Sequence, residues 1–229
     1  MRHKLYLRLL PALLALGLAC PARAARVVAQ TADGFDATRP ARVALIPPLA
    51  VPAPSGSGWV SCPIGGEAFV PCTVSDAAES ELSAALAAGL VGVPHVTLVP
   101  QADVNAALAR LKQKHPASFG LSGEWQTELA REAGAEYALT GFIFCWRDRS
   151  GGAFASTSPA AVSFCLHLIE VATGRVVWRL RYEDEQKPLF DDLLNVGVFI
   201  RRGGKWISSA EMAAEAAAEM KRRLPWSKP

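Results

Sequence analysis

Apolar positions along the chain fall into two kinds of run. Arg42-Val43-Ala44-Leu45-Ile46 before Pro47-Pro48, and His95-Val96-Thr97-Leu98-Val99 before Pro100, are short and continuous, as buried strands are. Leu82, Leu86 and Leu90 repeat at helical spacing behind Asp76-x-x-Glu79, a capping-box pattern, and Gly89 and Gly92 mark the end of that helix. Val104, Leu108 and Leu111 mark a second helix that Pro116 breaks, and Trp125 and Leu129 share the apolar face of a third from Gly123 to Ala133. Tyr137 to Trp146 and Ala161 to Val171 are strand-like, with Gly151-Gly152 and Pro159 between them. After the turn Ala172-Thr173-Gly174-Arg175, the stretch Val176 to Tyr182 alternates apolar and charged residues, as a strand with one wet face does. Pro188 to Ile200 has helical character. Gly203-Gly204 interrupts it, and Ser208-x-x-Glu211 opens a last helix that Pro225 stops.

The order is therefore β-α-β-α-α-β-β-β-α-α. Alternation in the first half predicts parallel neighbours with helical crossovers, and the second half an antiparallel meander. The expected fold is α/β (α+β): a single mixed sheet of about five strands with helices packed against it. Residues 25–41 are small and polar and predict a flexible tether, 42–187 the α/β domain, and 188–229 a helical appendage. Within the domain, 49–73 is a Pro/Gly/Ser-rich excursion carrying Trp59 and two cysteines. A loop of that length is usually functional or stapled.

The first 24 residues change the setting. Met1-Arg2-His3-Lys4 is basic, Leu5 to Ala19 is apolar apart from Tyr6 and Arg8, and small residues follow at Cys20, Ala22 and Ala24, the order of a secretory signal. Arg8 and Pro11 interrupt the run, and it is shorter than the roughly 20 residues of a membrane span. Two processing sites are open. Ala22-Arg23-Ala24 fits ordinary signal peptidase, releasing a chain that begins at Ala25. Gly17-Leu18-Ala19-Cys20 resembles a lipoprotein box, with Cys20 as the lipidated residue, although Gly17 stands where Leu is usual and Leu18 where a small residue is usual. Either way the mature chain is expected in the periplasm or on the periplasm-facing outer membrane, touching lipid only through Cys20.

Export also revises the charge. The full chain has 24 Lys+Arg and 21 Asp+Glu; Arg2, Lys4, Arg8 and Arg23 leave with the leader, so 24 less these four faces 21 and the mature chain is close to neutral. That argues against a nucleic-acid partner, which would need a basic footprint. The 51% hydrophobic content and about 200 remaining residues suit one domain with a real core. Of five cysteines, Cys62, Cys72, Cys145 and Cys165 follow the leader, and an even number in an exported chain favours disulfides. Spacing favours 62–72, closing a turn-rich loop, and 145–165, opposite each other in a hairpin centred near Ala155.

Four segments, in this order, resemble a group of bacterial envelope proteins: the strand Val43-Ala44-Leu45-Ile46-Pro47; Val96 to Pro100 leading into a helix from Ala102; Leu129 to Gly141, a helix passing through Gly134-Ala135-Glu136 into a strand ending Thr140-Gly141; and Leu166 to Trp178, two strands joined at Thr173-Gly174. The group includes the curli-secretion lipoprotein family, the lipoprotein activators of penicillin-binding proteins and the amino-terminal domain of the Tol-system propeller protein. The resemblance spans Val43 to Tyr182. It implies a non-enzymatic docking or assembly unit whose partner is another envelope protein or a copy of itself, with no catalytic residues to carry over. The excursion at 49–73 and the tail from Pro188 lie outside the shared pattern. The chain also lacks a pair of amphipathic lipid-facing strands, which argues against a secretion channel.

Other chemistry is weaker. Gly120-Leu121-Ser122-Gly123 is close to a nucleophile elbow, but Glu124 replaces the closing glycine and no strand precedes it. Cys145, Cys165 and His167 contain metal-ligand types, and Cys165 and His167 share a strand face, yet a tetrahedral site wants a fourth ligand. Asp184-Glu185 and Asp191-Asp192 could supply the carboxylate pair of an envelope hydrolase acting on cell-wall or glycan material, the alternative reading; solvated strand and helix ends explain them more simply. No phosphate loop or dinucleotide fingerprint occurs, so no cofactor is expected. Arg201, Arg202, Lys205 and Trp206 combine three cations and an aromatic around two glycines, and are a candidate surface for an acidic partner or anionic lipid.

Overall fold

The computed structural model describes residues 25–53, 58–114, 124–151, 156–186 and 207–227. In chain order its elements are β1 (Arg26–Thr31), β2 (Ala41–Leu45), β3 (Leu49–Ala50), β4 (Val60–Ser61), β5 (Ala68–Phe69), α1 (Ala78–Leu90), β6 (Val96–Leu98), α2 (Gln101–Lys114) and α3 (Glu124–Glu132). They continue with β7 (Tyr137–Arg147), β8 (Ser150–Gly151), β9 (Ser156–Ser158), β10 (Ala161–Glu170), β11 (Val176–Glu185), α4 (Ser209–Arg223) and a final 3₁₀ turn, Pro225–Ser227.

The expected mixed sheet is present, and wider than expected. Its strands run β1-β11-β10-β7-β2-β6, with β3 continuing beside β7. β2 pairs in parallel with both β6 and β7, while β7, β10, β11 and β1 form the antiparallel half. The additional edge is β1, in the stretch expected to be a tether. Arg26-Val27-Val28-Ala29-Gln30-Thr31 alternates exposed and half-buried positions and lies antiparallel to β11, from Arg26 opposite Glu183 to Thr31 opposite Trp178. β11 needs a neighbour for its outer backbone groups, and this short β-branched segment supplies one.

Helices cover both faces. On one, Leu82, Leu86 and Leu90 of α1 and Met212, Ala213, Ala216 and Met220 of α4 enclose Leu139, Ile143, Leu166, Trp178 and Leu180. On the other, Val104 and Leu111 of α2 and Leu129 of α3 pack on Ala44, Ala138 and Ile169, with Trp125 and Leu108 at the margin. Gly141 of β7 lies opposite Leu166 of β10. A Cβ there would come within 2.5 Å of the Cys165 carbonyl oxygen, so only glycine fits.

The two capping boxes part company. Ser208 and Glu211 cap α4 reciprocally, as the spacing predicts. At α1 the N-cap is Ala77, with no side-chain cap, and Glu79 Oε1 instead accepts the backbone N–H of Ala50 at 2.9 Å. The helix start gives up a local bond in order to hold β3.

α4 is fastened to the sheet by Gln186, which is buried: its Nε2 donates to the Ile207 carbonyl at 2.8 Å and its Oε1 accepts from the Ile207 N–H at 3.1 Å. Ser209 hydroxyl also donates to Asp148. Gln186→Leu keeps the volume but strands two buried backbone groups, so a loss of about 3 kcal/mol is expected. Urea unfolding would measure it, and a loss under about 1 kcal/mol would show that the fastening is dispensable.

Candidate functional site: a stapled insert over a buried thiol–imidazole cluster

The excursion at 49–73 is where the structure departs most from its sequence reading. After β3 the chain turns into the small antiparallel hairpin β4–β5, with Val60 opposite Phe69 and Ser61 opposite Ala68. The turn closes on Cys62, not across the two cysteines: Cys62 N–H donates to the Glu67 carbonyl at 2.8 Å and Gly66 N–H to the Cys62 carbonyl at 2.9 Å. Gly66 holds φ +74°, a left-handed position that suits glycine. Beyond the hairpin the chain runs along the end of β7, with Cys72 N–H on the Phe144 carbonyl, Trp146 N–H on the Thr73 carbonyl and Val74 in a parallel bridge with Trp146.

That path sets the disulfide. Cys72 is bonded to Cys145, with Cα atoms 4.5 Å apart, which corrects the expected 62–72 and 145–165 pairing. The expected pairing fails at the register. β7 and β10 do form a hairpin, but Ser163 lies opposite Cys145, and past a bulge between Ser163 and Phe164 the partner of Cys165 is Phe142. Cys145 is thereby left to the strand-like return of the insert.

Cys165 meets Cys62 instead. The two sulfurs are 2.7 Å apart, and His167 Nε2 lies 3.1 Å from Cys62 Sγ and 3.3 Å from Cys165 Sγ. All three residues are buried. Around them, Phe69 stacks on Phe144 with centroids 4.0 Å apart, the Arg181 guanidinium covers the other side of Phe69 at 4.0 Å, and Val51 and Phe142 complete an apolar lid. Glu67 reaches Arg179 at 3.3 Å, and Arg181 donates to the Ala68 carbonyl at 2.7 Å, so β11 holds the hairpin by two arginines.

The electrostatics of the pair are asymmetric. A hydrogen bond from Cys165, reinforced by His167 and the Gly65 N–H and opposed by burial, lowers the Cys62 thiol to about 5. Burial, then its bond to Cys62, pushes Cys165 well above the usual thiol range. The shifts make Cys62 the more acidic of the two thiols, beside an imidazole whose buried Nδ1 has no hydrogen-bond partner among the described residues. Chemically the cluster offers a thiol pair able to close, or two soft ligands and an imidazole for a metal ion. The sequence reading places Cys165 and His167 on one face, as found; it misses Cys62 as their third member and Glu67 beside them.

The outer face of the hairpin carries two large exposed apolar side chains. Trp59 and Val70 flank the Val60–Phe69 pair in register, and while Phe69 is fully buried they point away from it, 60% and 59% exposed. Of the candidate carboxylates, Glu185 pairs with Arg147 at 2.6 Å, and Asp184 lies beside it at the end of β11. An open depression of about 420 Å³ between α3 and the β10–β11 turn holds one carboxylate, Glu124, and Arg131, whose guanidinium donates to the Val171 carbonyl. Elsewhere Glu132 is held below the ordinary carboxylate range, chiefly by the hydrogen bond from Arg110 with Lys114 adding. Cys20, Ser122, Asp191, Asp192, Arg201, Arg202, Lys205 and Trp206 lie outside the described residues. Among the described residues no helix is long and apolar enough to cross a membrane.

No protein-family model matches the chain, and no curated protein matches it. Solved structures do align. The PelC dodecamer from Paraburkholderia phytofirmans matches at 18% identity over 86% of this chain and 94% of its own, with a TM-score of 0.40. The LpoB C-terminal domain from Escherichia coli matches at 20% identity over 68% of this chain and 88% of its own, TM-score 0.41. Lipoprotein GNA1162 from Neisseria meningitidis matches at 14% identity over 72% of this chain and 97% of its own, TM-score 0.37.

Proposed function

We propose that this chain is a non-enzymatic, periplasm-facing envelope protein that acts as a docking or assembly module, held to the membrane by a lipid on Cys20 or released after Ala24. The observation that carries the reading is the hairpin insert. It is fastened to the sheet by Cys72–Cys145 and by Arg179 and Arg181, and on that rigid base it presents Trp59 and Val70 to solvent. Large apolar side chains held outward on a fixed element lower the ordering cost of binding and supply the kind of anchor that dominates interfaces. The leader-like order of the first 24 residues and the Cys72–Cys145 disulfide support the reading of an oxidising compartment outside the cytoplasm. A hydrolase would want two converging carboxyl groups, one of them raised toward neutrality. Among the described residues the depression holds one, Glu124, and Glu185 is engaged by Arg147.

A benzophenone amino acid placed at position 59 of the exported chain, in its native cell, tests this. Irradiation is expected to yield one discrete adduct that Val70→Asp reduces at least about tenfold, in line with the 1.4 kcal/mol or more that an interface anchor contributes. An adduct of twice the chain's mass identifies self-assembly, and any other single mass identifies a second envelope protein. If the folded chain gives no discrete adduct from position 59, the docking reading is wrong.

A further inference from the structure

We propose that Cys62 and Cys165 are joined in the exported protein as a second, fully buried disulfide, which staples the turn of the β4–β5 insert to the middle of β10. Their sulfurs stand 2.7 Å apart. That is well inside the roughly 3.5–4.0 Å at which unbonded heavy atoms settle, and a bonded pair lies at about 2.05 Å. Closure therefore asks for an approach of roughly 0.7 Å. Two thiolates on one tetrahedral zinc, each about 2.3 Å from the ion, would instead stand about 3.7 Å apart. A metal would have to spread the pair by roughly 1 Å and find a fourth ligand. Among the described residues, Cys62, Cys165 and His167 are the whole of the group whose ligand atoms lie within 4.8 Å of one another.

The surroundings suit the covalent bond as well. The chain already carries one disulfide that joins the same insert to the same sheet. His167 Nε2, within 3.3 Å of both sulfurs, is placed to take the proton that closure releases. The oxidant is a disulfide-bearing protein or small molecule of the compartment. Cys62 thiolate attacks one of its sulfurs, forming a mixed disulfide and expelling one thiolate. Cys165 then gives its proton to His167 and attacks Cys62 Sγ, expelling the second thiolate. Two protein thiols become one disulfide as one oxidant disulfide becomes two thiols, and the protons end on the released thiols. Since both cysteines are buried once the hairpin is seated, the mixed disulfide on Cys62 forms before seating, the closing attack by Cys165 accompanies seating against His167, and the finished bond is shielded from reductants.

The inference does not depend on the docking reading and is tested apart from it. The mature chain, taken from its native envelope fraction, is denatured in iodoacetamide without reductant, digested, and its linked peptides are identified by mass. The expected result is a peptide linking Cys62 to Cys165, no alkylation at either, and a gain of about four hydrogens on reduction of the intact chain, two for each disulfide. The same link is expected in a Cys72→Ser/Cys145→Ser variant if it folds. Full alkylation of Cys62 and Cys165 in the wild-type chain would overturn the proposal, and one zinc per native chain would then assign the cluster as a metal site. A Cys62–Cys72 link would overturn it equally.

Discussion

Replacing Cys72 and Cys145 by serine is expected to destabilise the protein by about 4 kcal/mol, the chain-entropy value for a closed loop of this size. The bond joins residues 73 apart in sequence and brings the return of the insert against the end of β7. Without it the unfolded chain regains the freedom of that loop, while in the folded chain the return segment still has the Cys72, Thr73 and Ser75 backbone bonds to Phe144 and Trp146. Guanidinium unfolding of the variant beside the oxidised wild type, in the absence of thiols, measures the difference as a shift in midpoint. A loss below about 1 kcal/mol would mean that the insert seats by packing alone and that its rigidity owes little to the bond. The proposed docking face should loosen together with the stability, because Trp59 and Val70 sit on the same insert.

Trp146→Ala is expected to cost about 4 kcal/mol, within the usual range for emptying a buried Trp site. The side chain is fully buried in the core under α1 and α4, and its indole N–H donates to Glu81 Oε2 of α1 at 3.2 Å. The backbone of the same residue pairs with Thr73 and Ser75, so sheet, helix and insert meet at one position. Trp146→Phe separates the contributions: it restores most of the apolar volume and removes the indole donor, with an expected cost of about 1–2 kcal/mol. Urea midpoints for the two variants check this, and equal costs would mean that the hydrogen bond, and not burial, dominates. Because Trp146 adjoins the Cys72–Cys145 staple, its loss and the loss of the disulfide should not add, and the triple variant would measure their coupling.

Much of the framework follows from local pattern. Leu82, Leu86 and Leu90 are core residues of α1 as their spacing predicts, Ser208 and Glu211 cap α4, and Thr173-Gly174 turns β10 into β11 with Gly174 at φ +71°. These features depend on residues within about one turn or one hairpin of each other, and such contacts are written in sequence order. β1 is a partial exception. Its alternation is visible in Val27, Ala29 and Thr31, but a six-residue segment becomes a strand only when β11 offers its edge. Glu79 shows the same effect from the other side: the residue that should cap α1 is claimed by the Ala50 N–H of β3, a partner 29 residues away that only the tertiary fold brings near.

The sequence by itself determined helices α1 to α4, the principal strands, the turn residues, a near-neutral charge once the leader is set aside, and a cysteine count that suits an exported chain, while the helical segment expected from Pro188 to Ile200 lies outside the described residues. Tertiary structure alone decided which cysteines meet. A bulge between Ser163 and Phe164 shifts the β7–β10 register, the insert returns parallel to β7, and Cys62, 103 residues from Cys165, is set down beside it and His167. Spacing along the chain carries no term for a register shift or for the path of a loop. Both are chosen by the packing of Phe69 on Phe144 and by the pairing of buried backbone groups, which act only when distant segments are already in contact.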